Sequence, residues 1–447
     1  MTYAQKKTAA CTALLDLAAK GKVSLKPKFT SHFFRSRTKH NQLDLTHFDQ
    51  VLQVDVANMV VEVEGMTTFY NLAKETLKFG CLPAVVPELR NITIGGTISG
   101  LGIEASSFKY GMVHNAVLSC DVLTSSGEVV TCSRTQNADL FYLLPNSIGS
   151  VGYVLKCQYK LQPAKQLVQI KIKRFTTAAT FFVALEKACR VPKSDFLEGV
   201  VFGPDHFALV LGTFADKLPP GKSTSSFLRQ PFWRFLSDQQ NSGCWLTTWD
   251  YLWRWDRDAF WAVSTGWMGK VSENLLFRET FGRYFLRSHI LGKLNHLKRR
   301  YFPNPPTDLW ESIIQDVCID LKKCPDFFKW YQDKIAVYPL WICPASNMQD
   351  QGKFTLHDFT FDFLIDIGIY TGKKRTPNMA KNAYNRMIEH KILEIGGMKG
   401  LYSESYYTTE EFWQLYSKEK YFAGKTKYDP RGVFPSIYDK TVGKKTL

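Results

Sequence analysis

The glycine-rich stretch between Ile92 and Gly111 constrains this chain more than any other feature. It reads ITIGGTISGLGIEASSFKYG, and each glycine is a position where the backbone can approach a ligand closely or adopt a positive φ. Threonine and serine hydroxyls are interleaved with the glycines. Such a segment can present several N–H groups to a pyrophosphate or to a flavin edge. On the glycine pattern alone, a glycine-rich bend in a buried sheet is the alternative.

Two common nucleotide-binding motifs do not describe this stretch. A Rossmann fingerprint needs the spacing GxGxxG and a long helix after it, and the sequence has neither here. A P-loop closes with Gly-Lys and then Ser or Thr, and that ending is also missing. The stretch therefore predicts a backbone cradle of another kind.

The segment before the stretch alternates strand and helix patterns. Residues 59–64 alternate apolar and acidic side chains, which predicts a half-buried strand. Thr67 or Thr68 is placed to cap a helix that runs to Phe79, and Gly80 follows its C-terminus.

A hairpin and a second glycine segment follow the stretch. Residues 116–123 and 128–132 flank a Ser-Ser-Gly turn, which predicts two paired strands. The segment SIGSVG at 147–152 then leads into a predicted strand over 153–161. Two glycine segments that adjoin strands predict two backbone cradles on one ligand.

The composition is that of a folded, basic protein. The chain has 447 residues, enough for two or three domains, and 45% of them are hydrophobic. A formal net charge of +16 favours an anionic partner, although no nucleic-acid motif accompanies the charge and no nucleic acid is expected. No run approaches the ~20 apolar residues of a spanning helix, and the N-terminus has no signal-peptide pattern. We expect a cytoplasmic protein, with any membrane contact peripheral.

The cysteines and histidines do not predict a metal site. The ten cysteines include no CxxC pair, and the nine histidines include no HxxxH pair. We expect no metal, and we interpret most of the cysteines as buried small apolar side chains.

Three blocks of the sequence carry a resemblance to a known family. They are IGGTISGLGIEASSFKYG, DVLTSSGEVVTC and ADLFYLLPNSIGSVGYVLKCQYKLQPA. Together they resemble the second half of the PCMH-type FAD-binding domain of the vanillyl-alcohol-oxidase-like flavoproteins. The upstream VVPELRNITIGG, and Glu104 after the glycines, resemble more narrowly the delta(24)-sterol reductase family, which includes 24-dehydrocholesterol reductase and Dwarf1.

The resemblance continues through VYPLWICP, FLIDIG, GLYSESY and FPSIYDK, and covers about Leu43 to Lys440. It implies an α+β fold of two domains, in which the FAD domain consists of two α+β subdomains and a substrate (cap) domain covers the flavin. The expected ranges are 1–165 for the FAD-binding domain and 166–398 for the substrate domain. Residues 399–447 are expected to pack back on the FAD domain.

The resemblance also implies the cofactors and the reaction. FAD is the expected cofactor, NADPH the expected reductant, and the side-chain delta-24 C=C bond of a sterol or other lipid the expected substrate. No flavinylation motif is recognisable, so noncovalent FAD is expected, with His114 as the candidate for a covalent tether. The first pyrophosphate loop of the family is not recognisable either, and Ser36, Arg37 and Lys39 are candidates to replace it.

The expected cofactor-binding residues come from the two glycine segments and from the residues that follow the first of them. They are Thr93, Ile94, Gly95, Gly96, Thr97, Gly100, Gly102, Ile103, Glu104, Ser106, Ser107, Lys109, Tyr110, Gly111, Ser147, Gly149 and Gly152.

Reducing an isolated alkene requires a proton donor in a dry slot beside the flavin. Glu104, Tyr402 and Tyr406 are the catalytic candidates. Burial would raise the pKa of Glu104 toward a useful range, but it could instead be a structural carboxylate paired with Lys109 or bonded to backbone N–H groups. For the two tyrosines the alternative is aromatic packing.

The region 232–300 concentrates aromatic and basic residues. Residues 232–267 hold seven of the eleven tryptophans, and residues 270–300 carry eight Lys or Arg against two Asp or Glu. This pattern fits a patch in a membrane interface. Tryptophans that build the cap core and line a sterol pocket are the equally weighted alternative.

Fold alone does not separate the possible functions. An FAD-dependent reductase of a sterol double bond is favoured by the cap-domain resemblance. The alternatives are an FAD-linked oxidase or dehydrogenase of an alcohol or sugar-lipid, and a non-catalytic module that binds flavin or lipid.

Overall fold

The computed structural model describes residues 1–28, 40–227, 230–258, 309–403 and 405–442, together with a few positions between 260 and 294. Within these residues the chain builds two large antiparallel sheets with helices packed against them. This arrangement confirms the predicted α+β class.

The strands occur in three sheets. They are β1 (Val23–Leu25), β2 (Asn41–Leu43), β3 (Val51–Asp55), β4 (Val60–Glu64), β5 (Cys81–Pro83), β6 (Val117–Leu123), β7 (Val129–Ser133), β8 (Tyr153–Pro163), β9 (Leu167–Phe175), β10 (Phe196–Gly203), β11 (His206–Ala215), β12 (Gly243–Thr247), β13 (Trp310–Asp320), β14 (Leu340–Ser346), β15 (Phe363–Lys374) and β16 (Met398–Lys399).

The helices of the described residues are mostly short. They are α1 (Tyr3–Ala18), α2 (Phe69–Leu77), α3 (Ile94–Gly100), α4 (Ser107–Tyr110), α5 (Ala138–Leu143), α6 (Ala178–Arg190), α7 (Phe232–Ser237), α8 (Thr248–Leu252), α9 (Cys324–Lys334), α10 (Ala383–Glu394), α11 (Thr409–Leu415), α12 (Lys418–Tyr428) and α13 (Ile437–Thr441). None of these helices combines the length and the apolar character that crossing a bilayer requires.

The first large sheet has the order β3-β4-β8-β6-β7, with β5 paired to β8. Its hairpin β6–β7 pairs Leu123 with Val129 across the Ser-Ser-Gly turn, as the sequence predicts. The predicted helix cap is confirmed as well, because the Thr68 hydroxyl accepts the backbone N–H of Asn71 at the start of α2.

The second large sheet has the order β12-β9-β11-β10-β14-β15-β13-β16. Its strands begin at Leu167, so the chain changes sheets beside the expected boundary at 165/166, which remains a prediction about domains. One face of the sheet packs against α6, α9 and α10 through an apolar cluster that includes Phe181, Phe327 and Ile388.

The opposite face of the second sheet joins the core of the first sheet. Trp341, Cys343 and Tyr370 project from this face into a cluster that also contains Ile98 and Val154. These two residues belong to the first unit, by which we mean the first large sheet and the helices that precede β9 in the chain. Side chains alternate along a strand, so every second residue counted from Trp341 on β14 and from Tyr370 on β15 projects from this face. The two sheets therefore enclose one shared interior.

The C-terminal helices contact the first unit. The Tyr428 hydroxyl donates to Asp139 Oδ1 at 2.9 Å, and Lys440 Nζ donates to the Gly149 carbonyl at 2.9 Å. Lys425 Nζ reaches the Ser150 carbonyl at 2.6 Å.

The glycine-rich stretch differs from the predicted loop. Residues Ile94–Gly100 form helix α3, which begins after the extended residue Thr93. Glycine is a poor helix former, and close packing outweighs that propensity here. Gly95 lies so near the first sheet that its N–H donates to the Gly65 carbonyl at 2.8 Å.

The cysteine interpretation is confirmed. All ten cysteines are free thiols, and eight of them are buried, the exceptions being Cys11 and Cys244. Burial raises the pKa of the Cys132 and Cys189 thiols to about 12, so these groups stay neutral.

Candidate functional site

A cavity of about 360 Å³ lies where the two sheets meet. This volume is within the range of roughly 300–1,000 Å³ that is typical of ligand sites. The first unit supplies most of the wall, the second sheet supplies Trp341 and Tyr370, and the segment after β16 supplies Tyr402. The cavity is therefore shared by both units.

Helix α3 and its flanks form one wall. The predicted cofactor-binding residues that line the cavity are Thr93, Gly95, Gly96, Thr97, Gly100, Gly102, Ile103 and Gly149. The two glycine segments meet at this wall, because the Ile148 N–H donates to the Ser99 carbonyl at 2.8 Å.

The glycines of this wall are required by close packing. A Cβ on Gly95 would lie 2.8 Å from the Gly65 carbonyl oxygen, and a Cβ on Gly102 would lie 2.0 Å from Thr97 Cγ2. At Gly149 the backbone has φ +65°, which a residue with a side chain adopts at a cost. Gly100 differs, since its Cβ would meet only Ile148, at 3.9 Å.

The other predicted cofactor-binding residues do not line this cavity. Ile94, Ser106, Ser107 and Ser147 are buried; the Ser106 hydroxyl donates to the Ala84 carbonyl at 2.8 Å. These residues therefore support the cavity wall and do not line it.

Lys109, Tyr110 and Gly111 line a separate cavity of about 120 Å³. Lys109 pairs with Asp195 at 3.0 Å. Gly152 has an extended backbone, and a Cβ there would lie 2.6 Å from Val122 Cγ1, which makes it a packing glycine.

A basic group of side chains lines another part of the large cavity. It consists of Lys28, His40 and Lys440. Lys28 also pairs with Asp49 at 2.7 Å, and Asp439 lies among the lining residues. Burial, followed by the charges of Lys22 and Lys440, lowers the pKa of His40, so this imidazole is neutral at pH 7. The group offers ammonium donors suited to phosphate oxygens.

Aromatic residues with an acid behind them form the wall contributed by the second sheet. Tyr370 and Tyr402 line the cavity, and both hydroxyls are hydrogen-bonded to the Asp316 carboxyl group. Burial raises the pKa of Asp316 to about 7, although both tyrosines and Lys399 oppose the shift. Asp316 itself is 2% exposed and lies behind the two tyrosines.

Two further acids, Glu88 and its neighbour Glu104, lie next to this wall. Glu88 lines the cavity and is 6% exposed. Burial raises the pKa of Glu88 well above its usual range, and the charge of the neighbouring Glu104 raises it further. Both effects favour the protonated form of Glu88 over its carboxylate.

Glu104 is held by an ion pair. Its Oε1 accepts from Arg254 Nη2 at 2.6 Å and from the Ala105 N–H at 2.9 Å. Arg254 also donates to Glu198 Oε1 at 2.7 Å, and Glu198 Oε2 accepts the indole N–H of Trp341 at 2.8 Å. This network connects Glu104 of the glycine-rich stretch to the cavity side of the second sheet.

The three catalytic candidates separate in the structure. Tyr402 lies at the cavity wall. Glu104 is 3% exposed and does not line the cavity. Of the two structural alternatives, the bond to a backbone N–H is present, at Ala105, whereas the cationic partner is Arg254 and not Lys109. The Tyr406 backbone N–H donates to Glu389 Oε1, away from the cavity wall.

The structure places the candidate tether His114 away from the cavity wall, and it does not describe the candidate phosphate-binding residues. His114 does not line the cavity; it is buried, with its Nε2 2.9 Å from His357 Nε2. Burial, with His357 and Arg134 adding to it, lowers the pKa of His114 well below its usual range. Ser36, Arg37 and Lys39 lie outside the described residues.

Most of the basic part of the aromatic and basic region also lies outside the described residues. Of its described tryptophans, Trp253, Trp255 and Trp261 are buried in the shared core, as the core alternative predicts for them.

Sequence reasoning missed three residues of this site: Glu88, Asp316 and Tyr370. Strand alternation was one available signal for Tyr370, because Asp366, Gly368 and Tyr370 share one face of the strand FLIDIGIY. The acid in this otherwise apolar strand was a second signal, because acids are rarely buried. Glu88 stood beside the glycine stretch, without a periodic pattern to single it out.

The cavity fits FAD by its own chemistry. The glycine wall lets the backbone approach a flat or extended ligand, the basic group suits a pyrophosphate, and Trp341 with the tyrosines suits an aromatic ring system. Lys28, His40 and Lys440 would hold phosphate oxygens, and the glycine wall would hold the rest of the cofactor.

Comparison with known proteins supports this assignment. A family model described as FAD binding domain matches residues 6–133. The delta(24)-sterol reductase of Homo sapiens is 26% identical over 399 residues, which cover 87% of this chain and 75% of that protein. The delta(24)-sterol reductase of Arabidopsis thaliana is 26% identical over 454 residues, covering 92% and 78%.

A further match covers a smaller part of the chain. Cytokinin dehydrogenase 1 of Arabidopsis thaliana is 30% identical over 190 residues, which are 41% of this chain and 31% of that protein. The resemblance drawn from the sequence is thus confirmed, as are the flavoprotein fold and FAD as its cofactor. The chain is an FAD-dependent oxidoreductase homologous to the delta(24)-sterol reductases.

Proposed function

We propose that this enzyme reduces the delta-24 double bond of a sterol side chain, with NADPH as the electron donor. The observation that carries the proposal is a cavity lined by both a glycine wall and an acidic and aromatic wall. The relatives named above, which match both sheets, support sterol as the substrate class.

The chemistry needs a hydride and a proton. Reduced FAD supplies the hydride when it is bound. Glu88, Tyr370 and Tyr402 are the groups at the wall that carry an exchangeable proton close to the buried acids. Trp341 and the tyrosine rings exclude water from the substrate, which keeps the proton donor and the alkene in an apolar setting.

Buried positions around the wall keep its geometry fixed. Glu198 orients the Trp341 indole through a 2.8 Å hydrogen bond, and Asp316 orients both tyrosine hydroxyls. The side chains that contact the substrate are therefore arranged before it binds, which is the condition for efficient proton transfer.

Peripheral membrane contact through residues 232–300, and a cytoplasmic location, remain predictions of this function. A sterol partitions into lipid, so an enzyme that acts on one gains by meeting a membrane surface.

The test is an anaerobic half-reaction. The purified holoenzyme is reduced with NADPH and then mixed with desmosterol in detergent, and the return of oxidised flavin absorbance is recorded with product analysis. We expect reoxidation together with formation of the saturated side chain. Flavin that stays reduced until oxygen is admitted would overturn the proposal and favour an alcohol or sugar-lipid oxidase.

A further inference from the structure

The acidic wall contains more than one group that holds a proton, and their surroundings differ. Tyr370 and Tyr402 both have their hydroxyls bonded to Asp316. Burial, with the charge of Asp316 adding to it, raises the pKa of both phenols well above the usual range. Each phenol is therefore a weak acid.

The surroundings of Glu88 differ from those of the two tyrosines. Its carboxyl group is at the cavity wall, and its neighbour Glu104 is fixed by Arg254 through Oε1. Glu104 Oε2 is buried and has no conventional donor among the described residues. Glu88 and Glu104 are hydrogen-bonding neighbours, and this bond requires a proton on one of the two groups, because two carboxylates have no hydrogen to share. Burial raises the pKa of Glu104 too, but the charge of Arg254 opposes that shift, which favours the proton on Glu88.

The charges around Glu88 favour its neutral form. Glu104 and Asp316 both disfavour a carboxylate at Glu88, and Arg254 is engaged by Glu104 and Glu198. Asp366 lies further along the same face and also has its pKa raised, first by burial and then by Asp316. Among the described residues these acids form no group arranged to hold a metal ion.

We infer that Glu88 is the proton donor to the alkene, and that Glu104, fixed by Arg254, is the positioning residue that presents it. The inference rests on the proposed function. An alkene without an activating group needs a stronger acid than a phenol. Of the two described carboxylic acids that line the cavity, Asp439 lies with the basic group and Glu88 lies with the aromatic wall.

The step is balanced by the groups already named. The O–H bond of Glu88 breaks as its proton forms a C–H bond at one alkene carbon with the π electron pair. The C–H bond at the other carbon would be formed with the hydride that FAD, when bound and reduced, would supply. Glu88 is left as a carboxylate and regains a proton from solvent before the next turnover.

The test compares Glu88→Gln with Tyr402→Phe in the anaerobic half-reactions. For E88Q we expect FAD content and reduction by NADPH to match the wild type, and reoxidation by desmosterol to fall by about 100-fold or more. Y402F should lose less than about tenfold, and Glu88→Asp should recover part of the loss in E88Q, because it retains a carboxylic acid. Glu410→Gln, at an exposed position, is the matched control with no change.

Two results would overturn the inference. One is reoxidation of E88Q within about tenfold of the wild type, and the other is a larger loss in Y402F than in E88Q. An infrared difference spectrum, wild type minus E88Q at pH 7, gives a readout that does not depend on turnover: a carboxylic-acid C=O band supports a protonated Glu88, and a carboxylate band contradicts it. A wild type that desmosterol does not reoxidise would instead refute the proposed function.

Discussion

At the scale of single residues, the cavity side of the second sheet carries several buried acids among its apolar side chains. Glu198, Asp316 and Asp366 belong to its strands, Glu104 belongs to the glycine-rich stretch, and Glu88 lies just before that stretch. Burying a charge costs several kcal/mol unless a partner compensates it. Arg254 compensates Glu104 and Glu198, whereas burial raises the pKa of Glu88, Asp316 and Asp366 and so favours their neutral forms.

Replacing Arg254 with methionine tests that compensation. The change keeps an apolar stem but leaves Glu104 and Glu198 without their cation, so we expect a loss of about 3–5 kcal/mol in the free energy of unfolding. Urea denaturation followed by circular dichroism measures it. Lys26→Ala, which breaks the exposed pair with Asp44, should change stability by less than about 1 kcal/mol. Equal effects of the two variants would contradict this account of the buried network.

Asp316 gives stability a pH dependence. Its folded-state pKa of about 7 lies above its usual 3.8, so the folded protein binds the proton more tightly than the unfolded chain does. The resulting stabilisation is complete below about pH 4 and is lost as the pH rises through 7. Between pH 4 and pH 7, the Tm of Asp316→Asn should therefore decline less than the Tm of the wild type. Thermal denaturation scans in matched buffers measure this difference. Parallel curves would refute the shifted pKa.

Glu104→Gln tests the positioning role through a pH profile. Removing the negative charge, while Arg254 stays, makes a carboxylate at Glu88 less unfavourable and lowers the pKa of Glu88. Activity requires protonated Glu88, so it is present below that pKa and lost above it. We expect the falling limb of the kcat–pH profile to move to lower pH, whereas a uniform drop in kcat with an unmoved limb would indicate a purely structural role.

At the scale of elements, helix α3 is the part of the wall most dependent on its glycines. Gly95 packs against backbone, whereas Gly100 has open space toward Ile148. We expect Gly95→Ala to destabilise the protein by about 1–3 kcal/mol, because it forces α3 away from the first sheet.

Gly100→Ala is the matched variant. Its methyl group meets only Ile148, so we expect stability close to that of the wild type, with weaker FAD retention because both residues line the cavity. Thermal denaturation and the ratio of flavin to protein absorbance after gel filtration measure the two effects. Similar loss of stability in both variants would show that packing does not distinguish the two glycines.

At the scale of the whole molecule, the cavity depends on both sheets. A cofactor bound there contacts the first unit, the second sheet and the C-terminal residues at once. Since a ligand that binds the folded state alone stabilises it, FAD at 100 times its Kd should add about 2.7 kcal/mol to the apoprotein. Calorimetry of the apoprotein with increasing FAD should show Tm rising with concentration; an unchanged Tm would mean that the cofactor does not bind this folded state.

The sequence by itself determined the local elements and the kind of cofactor. The Thr68 cap, the hairpin β6–β7 and the strand β8 follow from patterns that act over a few residues, where propensity and turn chemistry decide the outcome. The glycine segments predicted a backbone cradle for the same reason, since the absence of a Cβ is visible without any fold.

Only the tertiary structure decided which chemistry the site contains. Glu88, Asp316 and Tyr370 are separated by long stretches of chain, and nothing in their local patterns brings them to one wall. Glu104 was recognisable as a buried acid candidate, but its partner Arg254 lies 150 residues away. Charge and pKa at such a site depend on distances between residues remote in sequence, because Coulomb energy and desolvation are set by the surroundings in space.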